Sequence, residues 1–145
     1  MTSTSRRILT VISLLATAGA AVSSLSLYHH YGNSKSAYCD FSSSFNCDIV
    51  NRSIYSVVLG IPVALIGILG YAAIWVLSTR YRTRTTTPAM LLLASVAGLG
   101  FALYLTYVEK FVLAVWCILC LASLNVIFLI AVLASVLLIC SRRRP

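Results

Sequence analysis

Residues 111–140 read FVLAVWCILCLASLNVIFLIAVLASVLLIC, thirty positions without one charged side chain, preceded by Glu109-Lys110 and followed closely by Arg142-Arg143-Arg144. A run this long and this apolar is a membrane-spanning helix. At about 1.5 Å per residue it exceeds a ~30 Å hydrocarbon core, so its ends project or it tilts. Near its start lies Trp116-Cys117-Ile118-Leu119-Cys120. Two thiols three positions apart on a helix share one face and can open and close a disulfide.

The rest of the chain has the same character. Of 145 residues, 60% are hydrophobic and 10% charged, outside the range of a soluble domain. One all-α membrane domain is expected over residues 1–145. The net charge of +8 does not point to nucleic acid, because the positive residues cluster at the ends of apolar runs. Four spans are expected: 8–27, 57–77, 89–108 and 111–140. The first is read as an uncleaved anchor, since its apolar run continues past the small residues 16–20 that resemble a signal-peptidase site. Gly60-Ile61-Pro62 leads into the second, a threonine-rich turn closed by Pro88 precedes the third, and Glu109-Lys110 reads as a tight polar turn before the fourth.

Between the first two spans lies the only sizeable polar region, Tyr28 to Ser56, which holds Cys39 and Cys47. His29 and His30 read as an interfacial pair and not as metal ligands, because sequence neighbours point in different directions and no third ligand is evident. From Cys47 onward, Val50, Ile54, Val57, Val58 and Ile61 fall on one helical stripe, with Asn51, Arg52 and Tyr55 opposite. The pattern predicts a short amphipathic helix on the membrane surface, with Asn46 as its N-cap and Cys47 in the first turn, where the helix dipole favours a thiolate.

Charge sets the orientation. Arg6, Arg7, Arg80, Arg82, Arg84 and Arg142 to Arg144 fall on one side, eight positives against Lys35, Arg52 and Lys110 on the other. The excess predicts cytoplasmic termini and an even number of spans. Cys39, Cys47, Cys117 and Cys120 then share the outer side, where disulfides persist. Cys140 lies at the cytoplasmic end and is set aside as a free thiol.

Two readings compete. A Cys39/Cys47 bridge could staple the loop of a non-enzymatic tetraspan scaffold, with Cys117 and Cys120 as packing residues. Alternatively, the two pairs exchange and pass electrons from aqueous thiols to an acceptor dissolved in lipid, for which a quinone is suited. A staple does not need a second pair at the same membrane face, which favours the relay. Four cysteines permit three pairings, and all three stay open here.

The chain resembles the vitamin K epoxide reductase family in its bacterial disulfide-forming branch. The resemblance is carried by Tyr38-Cys39-Asp40, by seven residues between Cys39 and Cys47, by Ser53, by Gly60-Ile61-Pro62-Val63-Ala64-Leu65 and by Trp116-Cys117-Ile118-Leu119-Cys120. It implies a four-transmembrane-helix bundle around a quinone, ubiquinone or menaquinone, capped by the external loop and its surface helix. It also implies that Cys117 and Cys120 are the active pair, with Cys120 facing the quinone, and that Cys39 and Cys47 shuttle electrons from a partner. Ser53 matches a loop serine that reaches toward the dithiol or quinone. The implied partner is a thioredoxin-like exported protein and the location a bacterial inner membrane. Some members carry a fused thioredoxin-like domain, so a chain ending at Pro145 is expected to use a separate one. Reduction of a vitamin K epoxide is the nearest alternative, but the segment from Ser53 to Gly60 is short and lacks asparagine, and position 124 is leucine where that branch has tyrosine.

Overall fold

Leu9, Ile12 and Ala16 on the first helix and Ile127, Ile130, Ala134 and Leu137 on the last recur at intervals of three and four, and both stripes are buried. Such stripes let helices close on one another and leave other apolar faces outward, as at Leu14 and Leu93. In the computed structural model, which describes residues 3–32, 39–40, 42–80 and 82–143, the principal elements are α1 (Ser3–Tyr31), α3 (Val63–Thr79), α4 (Thr87–Val108) and α5 (Ile118–Arg142). α1 packs along α3 and α5, α4 packs along α5, and a thinner α3–α4 seam closes the ring. Lys35, Tyr38 and Arg144, used above for charge and motif, lie outside the described residues.

Ser3–Tyr31, Thr87–Leu113 and Ile118–Arg142 are long and apolar enough to cross a membrane, and α3 is a shorter apolar helix of 17 residues. The protein is an all-α integral membrane bundle. Tyr71 ties it together. Its ring lies on Gly19 of α1, where a Cβ would stand 2.3 Å from Cε1, and its hydroxyl meets the Ser123 hydroxyl of α5 at 2.9 Å.

Three expectations are corrected. The surface helix does not run from Cys47 toward Ile61. Helix α2 spans only Cys47–Asn51, a 3-10 turn follows at Ile54–Ser56, and β1 (Val57–Val58) pairs antiparallel with β2 (Ile61–Pro62). Leu59 and Gly60, at φ 53° and 82°, make the two-residue turn between them, the backbone sign that a tight hairpin requires. The β-branched Val57-Val58 pair suits that ribbon better than a helix. Ile54, expected on the buried stripe, is 83% exposed, while Asn51, expected to face solvent, is 6% exposed. The second helix accordingly starts at Val63 and not at 57.

The third correction concerns the chain around the Cys-x-x-Cys. Glu109-Lys110 is not a turn: α4 continues through a π-helical turn, Glu109–Leu113. The chain reverses at Ala114, which has φ 53°, and residues 115–117 run extended until α5 starts at Ile118. The thirty-residue run is thus the end of one helix, a break and a second helix. That resolves its excess length.

Candidate active site

The break in the fourth apolar run is where the external loop docks. The Trp116 N–H donates to the Ser44 carbonyl at 2.9 Å, and the Asn46 N–H donates to the Trp116 carbonyl at 3.1 Å. Asn46 also caps α2, its Oδ1 accepting the Ile49 N–H at 3.0 Å, as its side chain predicts. Two consecutive loop bonds to one residue fix the loop against the start of α5. Its cysteines follow.

Cys39 and Cys47 form a disulfide with their Cα atoms 5.6 Å apart. Both are buried, and they pack in one cluster with Val50, Cys117 and Leu119, with Cys120 against its edge. Four cysteines, two from the loop and two from the start of α5, therefore meet in one place. Cys117 and Cys120 are free thiols, and so is Cys140.

Cys117 is 0% exposed and is the N-cap residue of the 25-residue α5, so it precedes the helix that carries Cys120. The dipole argument made for Cys47 applies better here, because α2 is only five residues long and Cys47 is already in a disulfide. The hydrogen bond from the Cys120 thiol is the largest influence on Cys117 and holds its thiol below the ordinary value, against burial and the repulsion that an ionised Glu109 would exert.

Two polar side chains face Cys117. Asn51 Nδ2 donates to Cys117 Sγ at 4.0 Å, and Asn51 Oδ1 accepts the Ser26 hydroxyl at 2.6 Å. Glu109 is 1% exposed, and its Oε2 accepts the Cys117 N–H at 3.1 Å. The end of α1 clamps the same region: His29 Nδ1 lies 3.3 Å from Asp48 Oδ1, His30 Nδ1 meets the Asn51 carbonyl, and Arg52 donates to the Gly32 carbonyl. The histidines are thus tied to α2.

Cys120 faces the other way. It lines a largely apolar cavity of about 410 Å³ inside the bundle, together with Ser53, Gly70, Tyr71, Phe101 and Glu109. Cys117 is not among the lining residues. Ser53, singled out in the sequence, is at this wall, although its hydroxyl donates back to the Val50 carbonyl at 2.8 Å. The volume suits a ring-sized ligand, and a Cβ added at Gly70 would meet nothing within 4 Å. Glu109 Oε1, buried and without a hydrogen-bond partner among the described residues, offers a further polar contact in a largely apolar wall. The residues present therefore fit a quinone headgroup.

Reading the sequence missed Asn51 and Glu109. A stripe drawn on from Cys47 to Ile61 puts Asn51 opposite the apolar face, whereas α2 ends at Asn51 and buries it. Glu109 carried a signal, being the only glutamate of the chain and flanked by apolar runs, a setting in which an ionisable group is a functional candidate.

No curated protein matches the chain. A family model, described as the vitamin K epoxide reductase family, matches residues 10–135, which include all four clustered cysteines and the cavity lining. The membrane bundle, the paired cysteines and this match agree: the chain belongs to the vitamin K epoxide reductase family, membrane oxidoreductases that work through cysteines.

Proposed function

We propose that the protein belongs to the disulfide-forming bacterial branch of the family and oxidises a thioredoxin-like exported protein at the expense of a membrane quinone. The observation that carries this reading is the division of labour within one Cys-x-x-Cys: Cys117 packs with the loop disulfide, and Cys120 lines the cavity.

Each transfer moves two electrons and two protons. A thiolate of the partner attacks the Cys39–Cys47 disulfide, and the mixed disulfide resolves to leave the partner oxidised and the loop pair reduced. The loop dithiol then reduces a Cys117–Cys120 disulfide by the same exchange. The arrangement with Cys39–Cys47 bonded and Cys117 and Cys120 free is the state that follows this internal step. A quinone supplies a two-electron, two-proton acceptor when bound. Cys120 is the sulfur beside it, Cys117 closes the disulfide, and Ser53 and Tyr71 line the wall. In this reading the termini and the arginine clusters are cytoplasmic, and the cysteine cluster faces the outer side of a bacterial inner membrane.

The test uses the purified protein in lipid with a reduced thioredoxin-like protein and ubiquinone or menaquinone. Partner thiols are expected to disappear in step with quinone loss, with Cys120→Ala abolishing turnover. A Cys-mutant partner should be trapped on the loop pair. Undiminished thiol oxidation by Cys120→Ala would defeat the relay.

A further inference from the structure

Glu109 has a role that the cysteine relay leaves unassigned. It is the only glutamate in the chain, and its side chain is buried at the inner wall of the cavity beside Cys117 and Cys120. One carboxyl oxygen, Oε2, is committed to the Cys117 N–H at 3.1 Å; the other, Oε1, is buried and has no hydrogen-bond partner among the described residues. No basic side chain pairs with it among the described residues. Neighbouring Lys110 sits over the Phe111 ring, 5.2 Å from its centroid. The carboxyl interacts with both thiols, and the titratable side chains of His30, Tyr55 and Tyr71 line the same cavity. It is also held by an unusual piece of backbone, the π-helical turn that begins at Glu109 and whose carbonyl accepts the Val115 N–H at 3.2 Å. Single π turns recur at functional sites.

A capping role explains Oε2 alone. An asparagine or glutamine could receive the Cys117 N–H without placing an ionisable group in an apolar cavity, where an unpaired charge is costly. The neighbouring chemistry supplies a use for it. Cys117 is disposed to be a thiolate, and two anions on neighbouring groups in an apolar site disfavour each other, so their proton occupancies are linked.

We propose that Glu109 and Cys117 share a single negative charge that changes place with the redox state of the cysteine pair. With the pair reduced, Cys117 is the thiolate, Cys120 keeps its proton and Glu109 is a carboxylic acid. When the Cys117–Cys120 bond forms, two electrons leave the sulfurs for the quinone. The Cys120 proton and the Glu109 proton go to its oxygens, giving a quinol, and Glu109 is left as the carboxylate. Two electrons and two protons are transferred, and the buried site carries one negative charge before and after. Glu109 is thereby the second proton donor of the quinone half-reaction.

This inference rests on the quinone-linked reading above, and its test separates the two. Because Glu109 is the only glutamate, carboxyl-¹³C glutamate labels this one side chain in the unaltered full-length protein. Infrared difference spectra between the dithiol and disulfide forms, taken in lipid without quinone, are expected to show an isotope-shifted carboxylic-acid band in the reduced form that becomes a carboxylate band on oxidation. A labelled carboxyl in one protonation state throughout overturns the assignment. In turnover, Glu109→Gln is expected to slow quinone reduction by a small dithiol about 100-fold, in the range of a lost proton donor, with Glu109→Asp recovering part of it. Reduction of the Cys39–Cys47 disulfide by the same dithiol should stay within threefold of the unaltered rate. A Glu109→Gln protein that reduces quinone at the full rate overturns the proposal. If the unaltered protein shows the band change but passes no electrons to quinone, the acceptor reading fails while the shared charge stands.

Discussion

The Asn51 amide lies across the Cys117 sulfur, with Nδ2 donating to Sγ at 4.0 Å and Oδ1 receiving the Ser26 hydroxyl at 2.6 Å. A donor aimed at a sulfur favours its thiolate. Asn51→Ala is therefore expected to raise the Cys117 pKa, because the thiolate loses a donor. It should also destabilise the fold by about 1–3 kcal/mol, because the buried Ser26 hydroxyl loses its partner. Thiolate absorbance against pH, in a Cys140→Ser background with the loop disulfide intact, reads the first effect, and thermal unfolding in detergent reads the second. An unchanged titration would separate the amide from the sulfur.

Cys120 has the larger influence on the same thiol. Its S–H donates toward Cys117 and stabilises the thiolate there, so Cys120→Ala should move the Cys117 titration upward. The sign follows from which form is bound: a depressed pKa keeps the thiolate populated as pH falls, down to the lowered value. At pH 7 an ordinary thiol with a pKa of about 8.5 is roughly 3% thiolate. The unaltered protein should exceed that fraction throughout the window between the lowered value and about 8.5, and Cys120→Ala should fall back toward it. A downward shift in the variant contradicts the hydrogen-bond account.

Loop docking and quinone chemistry should separate at Asn46. Its N–H donates to the Trp116 carbonyl, its side chain caps α2, and its φ of −146° is closed to proline. Asn46→Ala removes only the cap, for about 1 kcal/mol. Asn46→Pro removes the docking bond as well, and is expected to lower partner-driven turnover at least tenfold while turnover driven by a small dithiol at Cys117–Cys120 continues. Equal losses with both reductants would show that the loop is not the entry point.

These residues mark where sequence reading succeeds and where it stops. Apolar runs disclose helices because burial in lipid requires composition alone, and the four cysteines could be grouped because charge asymmetry and spacing are written along the chain. The break at Ala114 to Cys117 could not be read: Ala114, Val115 and Trp116 are compatible with a helix, and what reverses them is a left-handed residue, the Glu109 carboxyl and backbone pairing with distant Ser44 and Asn46. The hairpin at Leu59-Gly60 was concealed by a leucine in a conformation that glycine and asparagine normally take. A single helical period over 47–61 turns Asn51 outward, and only the end of α2 and the hairpin that follows bring it to the sulfur.

Gly19 is expected to tolerate no side chain. A Cβ there would meet the Tyr71 ring at 2.3 Å, and the ring cannot withdraw freely while its hydroxyl holds Ser123. Gly19→Ala should cost about 1–3 kcal/mol by overpacking. In a Tyr71→Ala background the added methyl should be nearly neutral, giving a coupling energy of similar size in a double-mutant cycle. Additive losses would mean that the strain lies elsewhere on α1.

Gly70 tests what the cavity holds. It lines the same space as Cys120, and a Cβ there meets nothing within 4 Å, whereas at Gly98 the Ile127 side chain is 3.2 Å away. Gly70→Leu should therefore leave the bundle as stable as before or slightly more so, since leucine favours a helix over glycine by up to about 1 kcal/mol. The new side chain takes up part of a volume of about 410 Å³, and the apparent KM for quinone is expected to rise at least tenfold at saturating dithiol. In the proposed relay, exchange between the loop pair and Cys117 lies outside this volume and should keep its rate. Retained stability with an unchanged KM would place the acceptor somewhere other than against Cys120, because no ring could share this cavity with a leucine and be unaffected.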